Sequence, residues 1–345
     1  MQRKVRIGIV GIGSFSRLHI KGALDAVNAE LVALADPDET RLHQHDEKFK
    51  VAHLDHYTDY NEMLARDDIE AVIVASNDQA HKELTVAALR AGKHVLCEKP
   101  MALTMEDCIA MIEAEKETGK KLMVGQVTRY DGVCSKAVQM IKDGVIGDIY
   151  YVESEYAHDY SKIPGTNQWR MDPARHGIIG GGCHAVDLLR SIAGNPIELS
   201  AYSNNKCLTD WPVYDCSVAI FKFPNNVIGK VMSSIGCKRS ATRQTSVYGT
   251  KGTLVFTRSN IDLFTEHFSD TLDIKDQFKV RIPIPVQKND HNVLGEITDF
   301  CEAIIEDKPV PCPGKDGAIT AYTCMAIVEA SQTGKPVTLN YDFAK

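Results

Sequence analysis

The chain has 345 residues, 44% hydrophobic and 25% charged, enough apolar material for the cores of two globular domains. Its net charge of −7, with no basic run and no aromatic–basic interleaving, argues against binding to a nucleic-acid phosphate backbone. Ten cysteines form no C-x-x-C pair and several lie in apolar runs, so each reads as a small buried hydrophobe in a reducing cytoplasm rather than as part of a disulfide framework or metal site. The apolar run near the N-terminus is too short and too broken by glycine for a signal peptide or a membrane span. No internal repeat or low-complexity segment appears.

The first predicted element is a buried parallel strand, Val5 to Val10. Gly11-Ile12-Gly13 follows at once, and a helical pattern begins near Ser14. This is the strand–turn–helix setting of a dinucleotide fingerprint. Gly11 permits the tight turn, Gly13 lets backbone approach a pyrophosphate, and the helix N-terminus offers free N–H groups to the phosphates. The third glycine is replaced by Ser16, small enough for close helix–strand packing. A G-x-G alone also serves simply to bend a βα turn. The second strand, Glu30 to Ala35, ends in Asp36, a place that suits the adenosine ribose hydroxyls. Its charge repels a 2′-phosphate, which favours NAD over NADP, although nearby Arg41 softens that preference. The competing reading of Asp36 is a helix N-cap before Glu39.

Strand and helix keep alternating. Helices are expected over Asp38–Lys48, Asp59–Leu64, His81–Leu89 and Thr104–Thr118. Strands are expected at Glu70–Ala75, His94–Cys97 and Lys121–Val124. Such alternation implies right-handed crossovers and a doubly wound parallel sheet, with ligands beyond the carboxyl ends of the strands. Asp36, Ser76-Asn77, Glu98-Lys99 and Gln126 all fall at those ends. After about residue 125 the pattern changes to a helix at Ser135–Lys142 and then strands at Ile149–Tyr156, Ile197–Ser203, Asp215–Phe223, Val227–Ser234, Thr245–Tyr248 and Leu254–Phe256. Short turns between them give a large, mostly antiparallel sheet in an α+β domain. The expected division is residues 1–124 and 125–345, with closing helices over 293–333 packing back on the first domain and a last strand at Val337–Leu339. An open sheet face needs a cover, so a homodimer or homotetramer through the second domain is expected.

A polar cluster, Tyr156, His158, Tyr160, Trp169 and Arg170, leads into a glycine run and a helix from Cys183. His184 and Asp187 are three residues apart there and share a face. Hydride transfer to nicotinamide needs a positive or donating group at the substrate oxygen and a base for the hydroxyl proton. Lys99 suits the first role and His184 the second, with Asp187 orienting His184 or binding a substrate hydroxyl. Arg129 and the polar cluster could hold a polyhydroxylated substrate. Each has a plainer reading: a solvated strand-end lysine, a surface His–Asp contact, a core tryptophan.

Taken in order, the opening fingerprint, Glu98-Lys99-Pro100, the run Val124 to Tyr130, the glycine-rich turn into His184-x-x-Asp187, and the closing stretch Glu296 to Asp316 resemble the Gfo/Idh/MocA oxidoreductases over nearly the whole chain. The resemblance implies an N-terminal Rossmann domain, a C-terminal open-faced sheet used for oligomerisation and a tightly held nicotinamide cofactor. It implies that Lys99 is catalytic and His184 the acid/base, and that Ser14, Phe15, Asn77, His81 and Glu98 border the cofactor. The implied activity is NAD-dependent oxidation of a secondary hydroxyl of a sugar, inositol or sugar derivative. An NAD-recycling lyase working through a transient keto-sugar and a non-catalytic NAD-sensing protein are the alternatives. One position departs from the family pattern. Members usually carry an Asp four residues before the histidine, where this chain has Gly180; Asp187, Asp172, His158 or Tyr160 are the available replacements.

Overall fold

Strand β1, Val5–Val10, buries every side chain except the half-buried Arg6, as a strand covered on both faces must. It opens a chain that the computed structural model describes over residues 3–165, 168–265, 281–286 and 291–345. The elements that follow are α1 Ser16–Asp25, β2 Ala29–Ala35, α2 Glu39–His43, α3 Asp46–Phe49, β3 Asp55–Tyr57, α4 Tyr60–Leu64, β4 Ala71–Val74, α5 His81–Arg90, β5 His94–Glu98, α6 Met105–Thr118 and β6 Leu122–Gly125. The six strands form one parallel sheet in the order β3-β2-β1-β4-β5-β6. The order reverses at β1, so the crevice beyond β1 and β4 is the switch point where such sheets place a ligand. Ile7, Ile9, Ala33, Leu34, Val72, Ile73, Val95 and Leu96 are all fully buried in its core. Burying one such Val, Leu or Ile side chain contributes about 1.5–3 kcal/mol.

The second part begins with α7 Gly132–Lys142 and β7 Ile149–Ala157, then α8 Gly177–Gly180, α9 Cys183–Ala193, β8 Glu198–Asn204, β9 Cys216–Lys222 and β10 Ile228–Ser234. Strands β11 Thr242–Gly249, β12 Gly252–Thr257, β13 Ile261–Thr265 and β14 Arg281–Ile284 follow. Helices α10 Val293–Ile305 and α11 Gly314–Thr333 and the short β15 Val337–Thr338 end the chain. Among the described residues nine strands make one sheet, β14-β13-β12-β11-β7-β10-β9-β8-β15, in which only β7 and β10 run parallel. On β9, Ser217, Ala219 and Phe221 are buried while Val218, Ile220 and Lys222 are exposed, the period of two that one covered face imposes. Helix α9 covers the inner face against β7 and β10.

Two compact units result. One holds Met1–Val127, Asn292–Ala321 and Asp342–Lys345; the other holds Thr128–His291 and Tyr322–Tyr341. In the first, α10 lies against α1, where Gly22 leaves room for Ile297 and Val293, and the Asn28 amide donates to the Thr298 carbonyl at 2.9 Å.

Most differences from the sequence reading have local causes. α1 begins at Ser16 rather than Ser14, because Ser14 and Phe15 complete the turn. The helix expected over 38–48 is two short helices broken at Gln44 and His45. Strand β3 is three residues of mixed exposure without apolar alternation, so it carries no sequence signal. Strands β13 and β14 extend the second sheet beyond Phe256.

Candidate active site

In the first unit the glycine turn is shaped by contact as well as by conformation. Gly11 has φ +91°, and a Cβ there would lie 2.5 Å from the Ser76 Cα and N, so only glycine fits. Gly13 has open space where its Cβ would stand, beside the first turn of α1. The buried Ser16 hydroxyl donates to the Gly13 carbonyl at 2.7 Å and ties the turn to the helix it starts. Phe15 sets its ring edge-on to His19 at 5.9 Å, and the Ser14 carbonyl accepts from Arg17 at 2.6 Å.

Asp36 closes this loop. Its Oδ2 accepts from the Ile12 N–H at 2.8 Å and its Oδ1 from the Asp38 N–H at 2.9 Å. The N-cap of α2 is therefore Asp38, which accepts from Thr40, and not Asp36. Each Asp36 oxygen keeps a further lone pair for a ribose hydroxyl. Beyond β4, Ser76 donates to the Asn77 carbonyl at 3.2 Å, and the Asn77 side chain caps the turn into α5 by accepting from the Ala80 N–H at 3.2 Å.

The end of β5 is fixed by two buried histidines. His19 Nε2 lies 2.8 Å from Glu98 Oε1, and Glu98 Oε2 accepts from the Lys99 N–H at 3.1 Å. Burial alone would push the Glu98 carboxyl up; the His19 hydrogen bond and the charges of His19 and Lys99 hold it below the ordinary range. His81 Nδ1 lies 2.8 Å from the Pro100 carbonyl, so both neighbours of the half-buried Lys99 are anchored. Gln126 is buried just beyond β6, and its Oε1 has no hydrogen-bond partner among the described residues. An open cradle at Gly13, a carboxylate at the end of β2 and an orphaned amide oxygen at the end of β6 fit a dinucleotide laid along this edge.

In the second unit α9 presents His184 in its first turn. The ring is buried, its Nδ1 lies 2.8 Å from Thr128 Oγ1, and it leans on Tyr156 at 5.8 Å. Tyr156 and Tyr160 share a hydroxyl hydrogen bond of 2.9 Å, and His158 meets both rings edge-on at 6.5 and 5.3 Å. The Arg170 guanidinium stacks on Trp169 at 4.1 Å and on Tyr160 at 5.3 Å, while Arg243 lies over Tyr156 at 6.0 Å. The fold thus gathers Tyr156, His158, Tyr160, Trp169, Arg170 and His184 into one cluster. Thr128, Tyr156, His184, Arg243 and Arg258 also line a common cavity. Burial, with Arg243, Arg258 and Arg170 nearby, holds the His158 imidazole below its ordinary value. Burial and the Tyr160 hydroxyl push the Tyr156 phenol far up, so it stays protonated at neutral pH.

Asp187 is fully buried and forms a bidentate pair with Arg129, Nε to Oδ2 at 2.8 Å and Nη2 to Oδ1 at 2.7 Å, with Arg190 Nη1 4.0 Å from Oδ1. Thr128 is the group at His184 Nδ1, while the carboxylate of Asp187 and the guanidinium of Arg129 engage each other. Thr128, Arg175 and Arg243 escape the sequence reading. Thr128 lies inside the Val124–Tyr130 run that the reading singles out, so its position was signalled although its role was not. Arg175 fills the space in front of Gly180, and no motif marks it.

A parallel sheet with a glycine turn and an acidic second-strand end, followed by a large mixed sheet that gathers a buried histidine and aromatic side chains, defines a two-domain dinucleotide-dependent oxidoreductase. The chain belongs to the Gfo/Idh/MocA family: residues 5–126 match its NAD-binding Rossmann fold and residues 134–255 its C-terminal domain. It is 25% identical over 346 residues to the myo-inositol 2-dehydrogenase of Thermotoga maritima, covering 97% of this chain and 98% of that one. It is 26% identical to the 1,5-anhydro-D-fructose reductase of Ensifer adhaerens, covering 96% and 97%. A levoglucosan dehydrogenase solved with NADH and L-sorbose shares the fold, with a TM-score of 0.86 at 22% identity over 98% of this chain and all of that one. Among the described residues no helix is long and apolar enough to cross a membrane.

Proposed function

We propose that this protein is an NAD-dependent dehydrogenase acting on a secondary hydroxyl of a sugar, an inositol or a sugar derivative. The observation that carries this reading is the single edge bearing Gly11, Gly13, Asp36, Asn77, Lys99 and Gln126 in a chain that also buries His184 among tyrosines. The relatives named for inositol and anhydro-sugar substrates support the substrate class. When bound, nicotinamide supplies the hydride acceptor. Asp36 holds the adenosine ribose and disfavours a 2′-phosphate, and Gln126 offers its unpaired amide oxygen. Lys99 donates to the substrate oxygen and stabilises the charge that develops there as the carbon loses hydride. His184, with Nδ1–H donating to Thr128, keeps Nε2 as the base that takes the hydroxyl proton. Tyr156, His158, Tyr160, Trp169 and Arg170 position the remaining hydroxyls.

Exposed Tyr202, Val218, Ile220 and Ile228 on the outer face of the large sheet support association of copies into a dimer or tetramer through that face. None of the ten cysteines is in a disulfide, in keeping with a reducing compartment such as the cytoplasm.

The test is absorbance at 340 nm with NAD or NADP and a panel of inositols, aldoses and sugar acids. The expected result is NADH formation with one polyol class, lost in Lys99→Met while NAD still binds. Unchanged turnover in that variant would refute the role of Lys99. Product formation without net NADH would replace the dehydrogenase reading with redox recycling.

A further inference from the structure

The edge strand of the parallel sheet carries a group that the dehydrogenase reading does not use. His43 ends α2, Asp46 begins α3, and His56 is the central residue of β3. One donor atom from each lies within 4.8 Å of the other two, the one such trio among the described residues. We propose that His43, Asp46 and His56 form a binding site for a borderline transition-metal ion, with zinc the natural occupant.

The plainer alternative is a hydrogen-bonded pair beside a ring contact. His43 Nδ1 does lie 2.7 Å from Asp46 Oδ2, and the two imidazoles face each other at 4.8 Å. That arrangement leaves the other half of the cluster unexplained. Asp46 Oδ1 and His56 Nε2 are 3.4 Å apart, both buried, and neither has a hydrogen-bond partner. Two buried polar atoms turned toward each other without a hydrogen bond forfeit their hydration for no return. A cation between them supplies what each lacks. Bonds of about 2.0–2.2 Å to imidazole nitrogen and carboxylate oxygen put tetrahedral donors on the order of 3.3–3.5 Å apart, which the 3.4 Å between Asp46 Oδ1 and His56 Nε2 matches, while the 2.7 Å between His43 Nδ1 and Asp46 Oδ2 must widen to admit the ion. Two imidazoles and one carboxylate select zinc, cobalt or nickel over magnesium or calcium, which prefer all-oxygen shells. The His43 side chain is 56% exposed, so a fourth position opens to water.

The location suggests what the ion does. Between His43 and His45 stands Gln44, whose side-chain amide donates to the Ile12 carbonyl in the glycine turn. A metal joining α2, α3 and β3 pins the segment that holds this contact. The sequence hides the site, because its ligands come from three separate elements with no motif spacing.

The experiment uses the untagged full-length protein, stripped with a chelator and titrated with zinc chloride by calorimetry at neutral pH, then with cobalt chloride under visible absorption. The wild type is expected to take up one more zinc equivalent per chain than His43→Ala/His56→Gln. It is also expected to show cobalt d–d bands without thiolate charge transfer, and to gain a few degrees in Tm with zinc. The double variant should keep its NAD affinity without metal, which shows that it folds. Zinc stoichiometry equal in the two proteins, no uptake by either, or cobalt bands of thiolate character would each overturn the site.

Discussion

The guanidinium of Arg175 stands where a side chain on residue 180 would be: a Cβ on Gly180 would lie 2.2 Å from Arg175 Nη1 and 2.3 Å from its Cζ. Arg175 is almost fully buried and stacks on Trp169 at 4.9 Å. Four residues before the histidine, where the family resemblance leads one to expect a carboxylate, the space in front of Gly180 is filled by a cation from five residues earlier. Gly180→Ala should lower stability by about 1–3 kcal/mol, since a buried arginine must shift to admit even a methyl group. Adding Arg175→Ala should recover part of the loss. Urea unfolding of the two single variants and the double variant checks this; strictly additive losses would mean that the two residues do not compete for the space.

Asp187 and Arg129 are a second coupled pair, with the carboxylate wholly buried and both guanidinium contacts below 3 Å. Removing one partner strands the other's charge. Asp187→Ala should cost about 3–5 kcal/mol. Asp187→Ala together with Arg129→Met should cost less than the two single changes summed. If Asp187 instead acted directly on substrate, Asp187→Asn would abolish turnover with the denaturation midpoint unmoved.

Asp36 accepts from the Ile12 and Asp38 N–H groups, and under the proposed function the same carboxylate sets cofactor choice. Asp36→Ala should raise the KM for NAD by at least tenfold, narrow the preference over NADP, and lower Tm through the lost loop contacts, each worth about 1 kcal/mol. Steady-state kinetics with both cofactors and a thermal melt separate the two effects.

His94 should give the protein an acid limb. Burial, helped by Lys120 and Lys121, pushes its imidazole down to about 4, and its Nδ1 accepts from the Lys121 N–H at 3.0 Å. The folded state therefore binds the proton less readily than the unfolded chain, where a free imidazole titrates near its ordinary value of about 6.5. The contribution is whole above that value and is lost as pH falls toward 4. His94→Asn keeps an acceptor without the titration. The difference in urea midpoint between wild type and variant should change between pH 7 and pH 5, in the variant's favour at pH 5.

The parallel half was largely legible because each strand except β3 is a mainly apolar run closed by a turn residue, and because the dinucleotide turn needs glycine for reasons visible in one dimension. The helix at Val293–Ile305 lies within the closing helical stretch expected over 293–333, and the structure caps it with Asn292. The unread parts are those whose stability is tertiary. β3 is an edge strand with one neighbour and little apolar content. Asp187 and His184 share a helix face, but sequence cannot say that an arginine 58 positions earlier takes the carboxylate and the threonine beside it meets the imidazole. A glycine in the chain likewise does not reveal which side chain fills the space it leaves.

Helix α10 follows nearly all of the second unit in the chain yet lies against α1. The nucleotide-binding half is therefore not a removable N-terminal cassette. A fragment ending at Val127 would expose the α1 surface around Gly22 and Asn28 that Ile297 and Thr298 cover, and should aggregate or melt early. Splicing residues 292–321 onto such a fragment through a flexible linker is the smallest change expected to yield a soluble half. Transplanting the nucleotide half between relatives likewise demands four crossover points rather than one.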